Sequence, residues 1–311
     1  MKKNIILKPI LKTVFCFFFI ISCTTQKKSE QGVGTPHLSK DDKTLYFQYF
    51  NGMNGSICKM NITDSVFKQI SPIANEFTFY NPRLTEDEKN IVFVGRRIGT
   101  DLSTIFISDG DSSSIKSLFT TESVYDAFLS KNKAEIIYAK PDTIANYSPI
   151  ARKAEHGYDI FSFNLESKKI SKLTNFHSYN IDGISDYKKD SLLYTDEDKE
   201  GICAIARNNP TNPRIIIRNN DSNNMHHLYI DPVYDEKNNV FVFHNSYEIC
   251  IMNAKKQIKR IYLSKQMIGS FCVFHTLPRI LFTVEGESCF YSINFDGTDL
   301  KKKEVHLPAV L

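Results

Sequence analysis

The sequence contains no tryptophan, and its N-terminal apolar run is too short to cross a bilayer. The absence of tryptophan removes the side chain that most often stacks on sugars, although 15 tyrosines and 23 phenylalanines can partly replace it. The uninterrupted apolar run covers residues 14–21, whereas a membrane-spanning helix needs about 20 residues. Four lysines precede this run, so the segment is typical of an export signal and not of a membrane span.

The end of this segment, IISC, resembles the lipobox of bacterial lipoproteins. The resemblance implies that residues 1–22 are a lipoprotein signal peptide and that Cys23 becomes the lipidated N-terminus. It also implies a bacterial cell-envelope protein that touches the membrane only through its lipid, with the outer membrane facing the periplasm as the expected location. A plain secretory signal is the alternative.

The expected mature chain carries no excess of positive or negative charge. Removal of residues 1–22 takes away four lysines and no acid, which leaves 35 basic residues against 35 acidic ones. A balanced chain gives no electrostatic reason to expect nucleic-acid binding. Residues 23–34 are polar and lack an apolar period, so we predict a polar tether there.

The motifs that would indicate a catalytic or cofactor site are absent as well. The sequence has no G-x-S-x-G elbow, no glycine-rich phosphate loop, no H-E-x-x-H pair and no EF-hand calcium loop. Catalytic residues therefore cannot be named, and neither a metal nor a cofactor is expected.

What the sequence does contain is a repeat of short runs rich in β-branched and aromatic residues. One unit recurs six times: SKDDKTLYF (39–47), TEDEKNIVF (85–93), SKNKAEIIY (130–138), SDYKKDSLLY (185–194), YDEKNNVFV (234–242) and FHTLPRILF (274–282). The residue before each unit is apolar: Leu38, Leu84, Leu129, Ile184, Val233 and Val273. This column marks the buried face of a strand, and the charged turn after it leads into a second strand.

A second unit also recurs six times: ICKMN (57–61), IFISD (105–109), IFSFN (160–164), ICAIA (202–206), ICIMN (249–253) and FYSIN (290–294). A further β-rich run follows each copy. Four strands per unit and six units predict an all-β protein, a six-bladed β-propeller with four antiparallel strands per blade over residues 35–311.

The segments PHLSKDDKTLYF, from Pro36, and DIFSFNLESKKISKLTN, from Asp159, resemble the WD-like repeats of TolB-type propellers. The resemblance covers residues 35–307 and concerns the fold more than the function, since such repeats occur in scaffolds, binding proteins and enzymes. The fourth to sixth units depart from it, because Asp182 and Phe271 replace the proline of the pattern in the fourth and sixth.

Five cysteines lie in the predicted blades. Cys58, Cys203 and Cys250 occupy the same third-strand column of different blades, too far apart for a disulfide. Cys272 and Cys289 fall on the first and third strands of one blade, about 9 to 10 Å apart. All five are therefore predicted to be free and buried.

Two long loops are predicted on one face of the propeller. An insertion in the third unit carries Tyr147, Arg152, Lys153 and His156, and the loop between the fourth and fifth units carries His226, His227 and Tyr229. The starts of the inner strands add a charged rim: His37, Arg83, Asp126, Asp182 and Asp231. Loops over a rigid scaffold carry function more often than the sheets beneath them. Each feature also has a simple structural explanation, a tolerated insertion for the loops and turn hydrogen bonds for the acids.

These features favour a non-catalytic binding or scaffold module that holds an envelope protein or peptide through this face. Tyrosine and arginine dominate such contacts when they are buried. A lyase or hydrolase for a sugar or polyanionic substrate is the alternative, with His156 or a metal anchored by His226 at the funnel. A small-ligand sensor is a third hypothesis.

Overall fold

The structure is a computed structural model, and it describes residues 31–52, 54–72, 76–131, 134–146, 153–188, 190–219 and 228–306. These residues form 24 strands in six four-stranded antiparallel sheets, with one 3-10 turn at Ser112–Ser114. In the described part of the chain no helix is long and apolar enough to span a membrane.

Each of the first three blades is a meander of four strands in chain order. Blade one contains β1 (Gln31–Leu38), β2 (Thr44–Asn51), β3 (Asn54–Asn61) and β4 (Lys68–Gln69). Blade two contains β5 (Phe77–Leu84), β6 (Ile91–Arg97), β7 (Leu102–Ser108) and β8 (Lys116–Glu122). Blade three contains β9 (Ala127–Leu129), β10 (Glu135–Asn146), β11 (Lys153–Asn164) and β12 (Ile170–Lys172).

The other three blades have the same plan. Blade four contains β13 (Ile181–Tyr187), β14 (Ser191–Asp196), β15 (Gly201–Ala206) and β16 (Asn209–Arg218). Blade five contains β17 (Ile230–Asp235), β18 (Val240–His244), β19 (Glu248–Met252) and β20 (Ile258–Leu263). Blade six contains β21 (Ile268–Val273), β22 (Arg279–Val284), β23 (Cys289–Asn294) and β24 (Lys301–Glu304). The predicted six-bladed β-propeller is confirmed.

The first strand of each blade lies nearest the central axis, and most of these strands contact one another around the ring. Most second strands are buried on both faces, as in β6, β14 and the fully buried β22, which explains their continuous runs of apolar residues. In β2, buried and half-buried residues alternate at the start of the strand. The fourth strands are mostly exposed. The first strand begins at Gln31, four residues before the expected start of the propeller at Thr35.

One cross-strand pair recurs at the centre of every blade. It joins the second strand to the third: Phe47–Cys58, Phe93–Phe106, Tyr138–Phe161, Tyr194–Cys203, Phe243–Cys250 and Phe282–Tyr291. The predicted third-strand column is thereby confirmed. In blade five the second-strand residue of this pair is Phe243. The predicted unit YDEKNNVFV ended at Val242 and was therefore out of register by one residue.

The predicted column of apolar residues in the first strands is also wrong in two blades. Asp186 pairs with Leu192 in blade four, and Tyr234 pairs with Phe241 in blade five, where Ile184 and Val233 had been expected. The equivalent predictions at Leu38, Leu84, Leu129 and Val273 agree with the observed pairing.

Among the described strands none is shared between the first and last blades, since blade one contains only β1–β4 and blade six only β21–β24. A buried carboxylate joins them: Asp42 accepts hydrogen bonds from the backbone N–H groups of His275 and Thr276, both at 2.8 Å. A mixed core that contains Phe47 and Phe290 lies beneath this contact.

The same kind of contact links other neighbouring blades. Glu88 of blade two accepts a hydrogen bond from the backbone N–H of Lys40 in blade one. Asp186 of blade four accepts one from the backbone N–H of Lys131 in blade three, at 2.9 Å. In each case the acid belongs to the later blade: Glu88 follows the first strand of its blade, and Asp186 lies near the end of β13. Asp42 repeats this arrangement across the closure, where blade one follows blade six.

The five cysteines of the propeller are buried and free, as predicted. Burial raises the pKa of Cys58, Cys203 and Cys250 to about 12 in each case. Burial likewise raises the pKa of Cys289, to about 11. These thiols therefore stay protonated near neutral pH and behave as small core residues.

Tyr194→Phe is expected to leave the free energy of unfolding unchanged or to increase it by about 1 kcal/mol. The side chains of Tyr138 and Tyr194 are fully buried, and neither hydroxyl has a hydrogen-bond partner within the described structure. Phenylalanine already occupies this column in four blades. Tyr138→Phe should behave alike in urea denaturation. A clear loss of stability in either variant would show that the hydroxyl has a partner.

Candidate functional site

A channel runs along the axis of the propeller. We call the face at which the first strands begin the upper face. At that end the channel encloses about 270 Å³, with walls supplied by all six blades. Near this end four first strands contain a residue with positive φ: Thr35, Asn81, Gly183 and Asp231. Alanine at Gly183 would bring its Cβ within 2.6 Å of the Cα of Asp231, so glycine allows blades four and five to approach here.

Four of the five predicted rim residues line this upper end: Arg83, Asp126, Asp182 and Asp231. The Arg83 guanidinium donates hydrogen bonds to both carboxylate oxygens of Asp126. The Nη2–Oδ2 distance is 2.7 Å and the Nε–Oδ1 distance is 3.2 Å. Such a bidentate pair fixes both side chains and cancels their charges within the channel. The pair is therefore a structural part of the wall.

Asp231 has its own partner. Nε2 of the buried His244 lies 3.2 Å from Oδ2 of Asp231, while Nδ1 of His244 lies 2.9 Å from the carbonyl of Asn245. Burial opposes ionisation of Asp231, but the hydrogen bond from His244 and the charge of Arg83 outweigh it and lower its pKa. Asp231 is thus held as a carboxylate.

Asp182 has no cation beside it within the described structure. Its Oδ2 accepts a hydrogen bond of 2.5 Å from the amide of Asn180. The crowded wall removes part of its hydration and the carboxylate of Asp231 repels a second negative charge, so the pKa of Asp182 is raised to about 7. The Asp182 side chain is nevertheless exposed to solvent. Solvent screening therefore reduces the effect of its charge on the stability of the protein.

Asp182→Asn is expected to stabilise the protein by about 1 kcal/mol near pH 8, and the gain should vanish near pH 4. The folded-state pKa of about 7 exceeds the ordinary value of 3.8, so the folded protein binds this proton more tightly between those values. Stability from Asp182 is therefore present at low pH and is lost as the pH rises towards 7. Thermal unfolding across this range measures the effect. The exposed Asp64→Asn is the control, and a pH-independent difference would contradict the account.

A second cavity of about 420 Å³ opens on the upper face between blades three and four. It shares Tyr125, Asp126, Asp182 and Gly183 with the channel, so the two form one continuous concavity, which we call the mouth. Tyr125 and Tyr179 remain 40% and 59% exposed at its edge. Large aromatic side chains at such exposure are typical of contact surfaces.

Three carboxylates line this cavity, those of Asp126, Glu155 and Asp182. The hydroxyl of the buried Tyr158 donates a hydrogen bond to Glu155, and burial together with this bond raises the pKa of Tyr158. Asn180 also donates to Glu197 at 3.0 Å, beside Asp182. Apart from Asp126, these carboxylates have neutral donors and no ion pair within the described structure.

His37, the fifth predicted rim residue, is not in the mouth. It lines the opposite end of the channel, a funnel of about 420 Å³ with mixed apolar and charged walls that is also bordered by His275. Burial and the positive charge of Arg83 lower the pKa of His37 to about 3, so it is neutral near pH 7. In register His37 corresponds to Arg83, since each is the first paired residue after the bulge of its strand, but only Arg83 also lines the upper end.

The predicted loop residues have mixed outcomes. Tyr147, Arg152, His226 and His227 lie outside the described residues, and only the backbone of Lys153 is described, in β11. The insertion of blade three extends β10 and β11 as a regular hairpin, in which His156 pairs with Thr143 and is half-buried.

Tyr229 corrects the prediction directly. It is only 3% exposed and packs edge-on against Phe243 at 4.6 Å between ring centroids. Its backbone N–H donates to Oδ1 of Asn219 at 2.9 Å. Tyr229 is therefore a core residue, and this burial removes it from the candidate contact surface.

A group that the sequence reasoning did not single out lies on blade three. Ligand atoms of Asp142, Asp159 and His177 fall within 4.8 Å of one another. The ammonium of Lys172 lies 2.8 Å from a carboxylate oxygen of each aspartate, which places a cation where a metal ion would bind. The group is therefore a charged clasp between β11 and the chain that follows β12. Only the position of Asp159 in the repeat could have indicated it.

No family model matches the sequence, and a search of curated proteins finds no match. Solved structures do match. TolB from Acinetobacter baumannii superimposes with a TM-score of 0.63 at 8% identity over 87% of this chain, which spans 63% of the TolB chain. A structure of the nidogen/laminin complex gives a TM-score of 0.64 at 12% identity, covering 84% of this chain and 92% of that one. A gluconolactonase from Xanthomonas campestris gives 0.61 at 11%, covering 85% and 86%.

These likenesses show the fold alone. The neighbours include TolB and a protein–protein complex as well as an enzyme, so the fold by itself does not select a function.

Proposed function

We propose that this chain is a non-catalytic binding module that captures a protein or peptide partner at the mouth. The observation that carries the proposal is the continuous concavity on the upper face, which combines exposed aromatic rings with carboxylates on a rigid scaffold. Buried aromatic anchors supply much of the energy of protein contacts. A structural neighbour taken from a nidogen/laminin complex supports this use of the fold.

The chemistry of the mouth supports binding more than catalysis. Among the residues that line it, Asp126 and Asp231 are already held by Arg83 and His244. The described cysteines are buried and protonated, so none of them is a nucleophile.

The proposed location is the bacterial cell envelope, with the chain anchored through a lipid on Cys23. The lipobox-like sequence before Cys23 supports this location, and residues 23–30 would then separate the propeller from the membrane. A partner at the upper face would be another protein or peptide of the same compartment.

The proposal is tested by affinity capture with the purified tagged propeller. The variant Tyr125→Ser/Tyr179→Ser removes both exposed rings, and we expect it to lose at least tenfold in affinity for the captured partner while its unfolding transition stays unchanged. Leu277→Ser removes an equally exposed side chain, 52% accessible, in the turn between the first two strands of blade six, on the opposite face. Equal capture by the mouth variant and the control would overturn the proposal.

A hydrolase or lyase is the second candidate, and one observation favours it. A carboxyl group whose pKa is raised to about 7 is suited to general acid–base work, and Asp182 lines a polar cavity. The gluconolactonase neighbour makes sugar lactones the first substrates to assay. Hydrolysis that is lost in Asp182→Asn would favour the enzyme.

A further inference from the structure

We infer that the cavity between blades three and four receives a basic side chain of the partner, an arginine in preference to a lysine. The inference rests on the proposed function and names the group that the mouth recognises. It follows from the walls of the cavity, the carboxylates that line it and one contact already present at its rim.

The walls divide by chemistry. Tyr125 and Tyr179 are exposed at the edge, and Ala139 and Ile181 add apolar surface to the wall. A long side chain with a methylene stem and a polar end matches this mixed lining, because the stem can pack on the apolar surface while the end reaches a carboxylate. The cavity volume of about 420 Å³ lies in the range of small-ligand sites.

The carboxylates that line the cavity favour a cation. Of the three carboxylates that line the cavity, Asp126 is neutralised by Arg83, whereas Glu155 and Asp182 accept hydrogen bonds from the neutral Tyr158 and Asn180. The charge of Arg96 acts on Glu155 from a distance, without an ion pair between them in the described structure. A neutral apolar occupant would remove water from these carboxylates without replacing it, and an anion would be repelled. A guanidinium would supply both charge and hydrogen-bond donors.

The rim already shows the contact that an arginine would make. The guanidinium of Arg96 lies 5.2 Å from the centroid of the Tyr125 ring and donates to its hydroxyl. Arg96 is itself paired with Asp101 at 3.2 Å. The planar guanidinium stacks on aromatic rings and bonds carboxylates in a fork, which a lysine ammonium does not do. Arginine is therefore the preferred occupant.

The test titrates the purified propeller with an acetylated and amidated pentapeptide, Gly-Gly-Arg-Gly-Gly, by isothermal calorimetry or NMR. The matched probe carries citrulline, which has nearly the same shape without the charge. We expect the arginine peptide to bind with a Kd on the order of 1 mM or lower. The citrulline peptide should bind at least tenfold more weakly, and the lysine peptide should fall between the two.

Variants locate the binding. Asp182→Asn and Glu155→Gln should each weaken binding of the arginine peptide about threefold to tenfold, and added salt should weaken it further. Glu122→Gln, which removes one negative charge from an exposed position at the upper end of β8, should leave it unchanged. Equal binding of the citrulline peptide, or no binding of either peptide, would overturn the inference. If Tyr125→Ser/Tyr179→Ser still lost the captured partner in that case, the proposed function would stand without it.

Discussion

Replacement of Asp159 by alanine is expected to lower the free energy of unfolding by about 3 to 5 kcal/mol. The carboxylate is completely buried. It accepts hydrogen bonds from the hydroxyl of Thr174 at 2.7 Å and from the backbone N–H groups of Phe176 at 2.5 Å and His177 at 3.4 Å. It also forms an ion pair with the ammonium of Lys172 at 2.8 Å. Alanine would leave these donors facing an apolar methyl group, and a hydrogen bond to a charged group contributes about 1.5 to 3 kcal/mol.

The matched variant is Asp159→Asn, which keeps the shape and one acceptor oxygen but loses the charge. We expect it to cost about 1 to 2 kcal/mol, because Thr174 and Phe176 can still donate while the attraction to Lys172 is lost. Asp142 retains its own bonds to Lys172 at 2.8 and 3.0 Å in both variants. Urea denaturation measures the differences. An alanine variant as stable as the parent would show that the clasp contributes nothing to blade three.

Replacement of Asp42 by alanine is expected to cost about 3 kcal/mol and to loosen the ring between blades one and six. Asp42 receives two backbone N–H groups and the hydroxyl of Thr276, at 2.8, 2.8 and 2.5 Å. It also has φ +58, a left-handed conformation that aspartate and asparagine tolerate better than alanine does. Alanine at this position would therefore lose the three hydrogen bonds and would also strain the backbone.

Hydrogen exchange measures where the loss occurs. Faster exchange in the Asp42→Ala variant should appear first at the backbone N–H groups of His275 and Thr276 and in the neighbouring strands β1 and β21, with blades three and four little changed. Asp42→Asn keeps the backbone preference and should lose less than half as much stability. Uniform acceleration across all six blades would contradict a local role at the closure.

The fold was predictable because the repeat is strong at the level of side-chain columns. The pairs at Phe47–Cys58 and Phe282–Tyr291 come from blades about 230 residues apart, yet they occupy the same register. Six copies of one buried pair leave few alternatives to a radial arrangement of sheets. The closure by Asp42 was not predictable, since it depends on a single contact between the two ends of the repeat.

The predicted strand register was wrong where polar and apolar residues do not alternate along the strand. Residues 240–243 are all apolar, so the period of two gives no phase, and Phe243 was missed in favour of Val242. In blade four the inner position is the polar Asp186, which binds the backbone of blade three, and apolar matching selected Ile184 instead.

The candidate site was predicted only in part. The acids at the starts of the first strands were found because strand polarity places them together, and Asp126, Asp182 and Asp231 do line the channel. The cavity beside them was missed, because Tyr179 lies in a connection with no motif of its own and its exposure depends on how two blades meet. Tyr229 was misjudged because burial within a connection depends on the contacts of neighbouring blades.

The central claim is that the mouth on the upper face binds a partner, and cross-linking in intact cells that naturally produce the chain tests it most directly. The tagged full-length protein, the variant Tyr125→Ser/Tyr179→Ser and the control Leu277→Ser are each cross-linked, and their products are identified by mass spectrometry. We expect one stoichiometric envelope partner with the parent and the control and its loss with the mouth variant. The same partner at the same yield with all three proteins would contradict the claim.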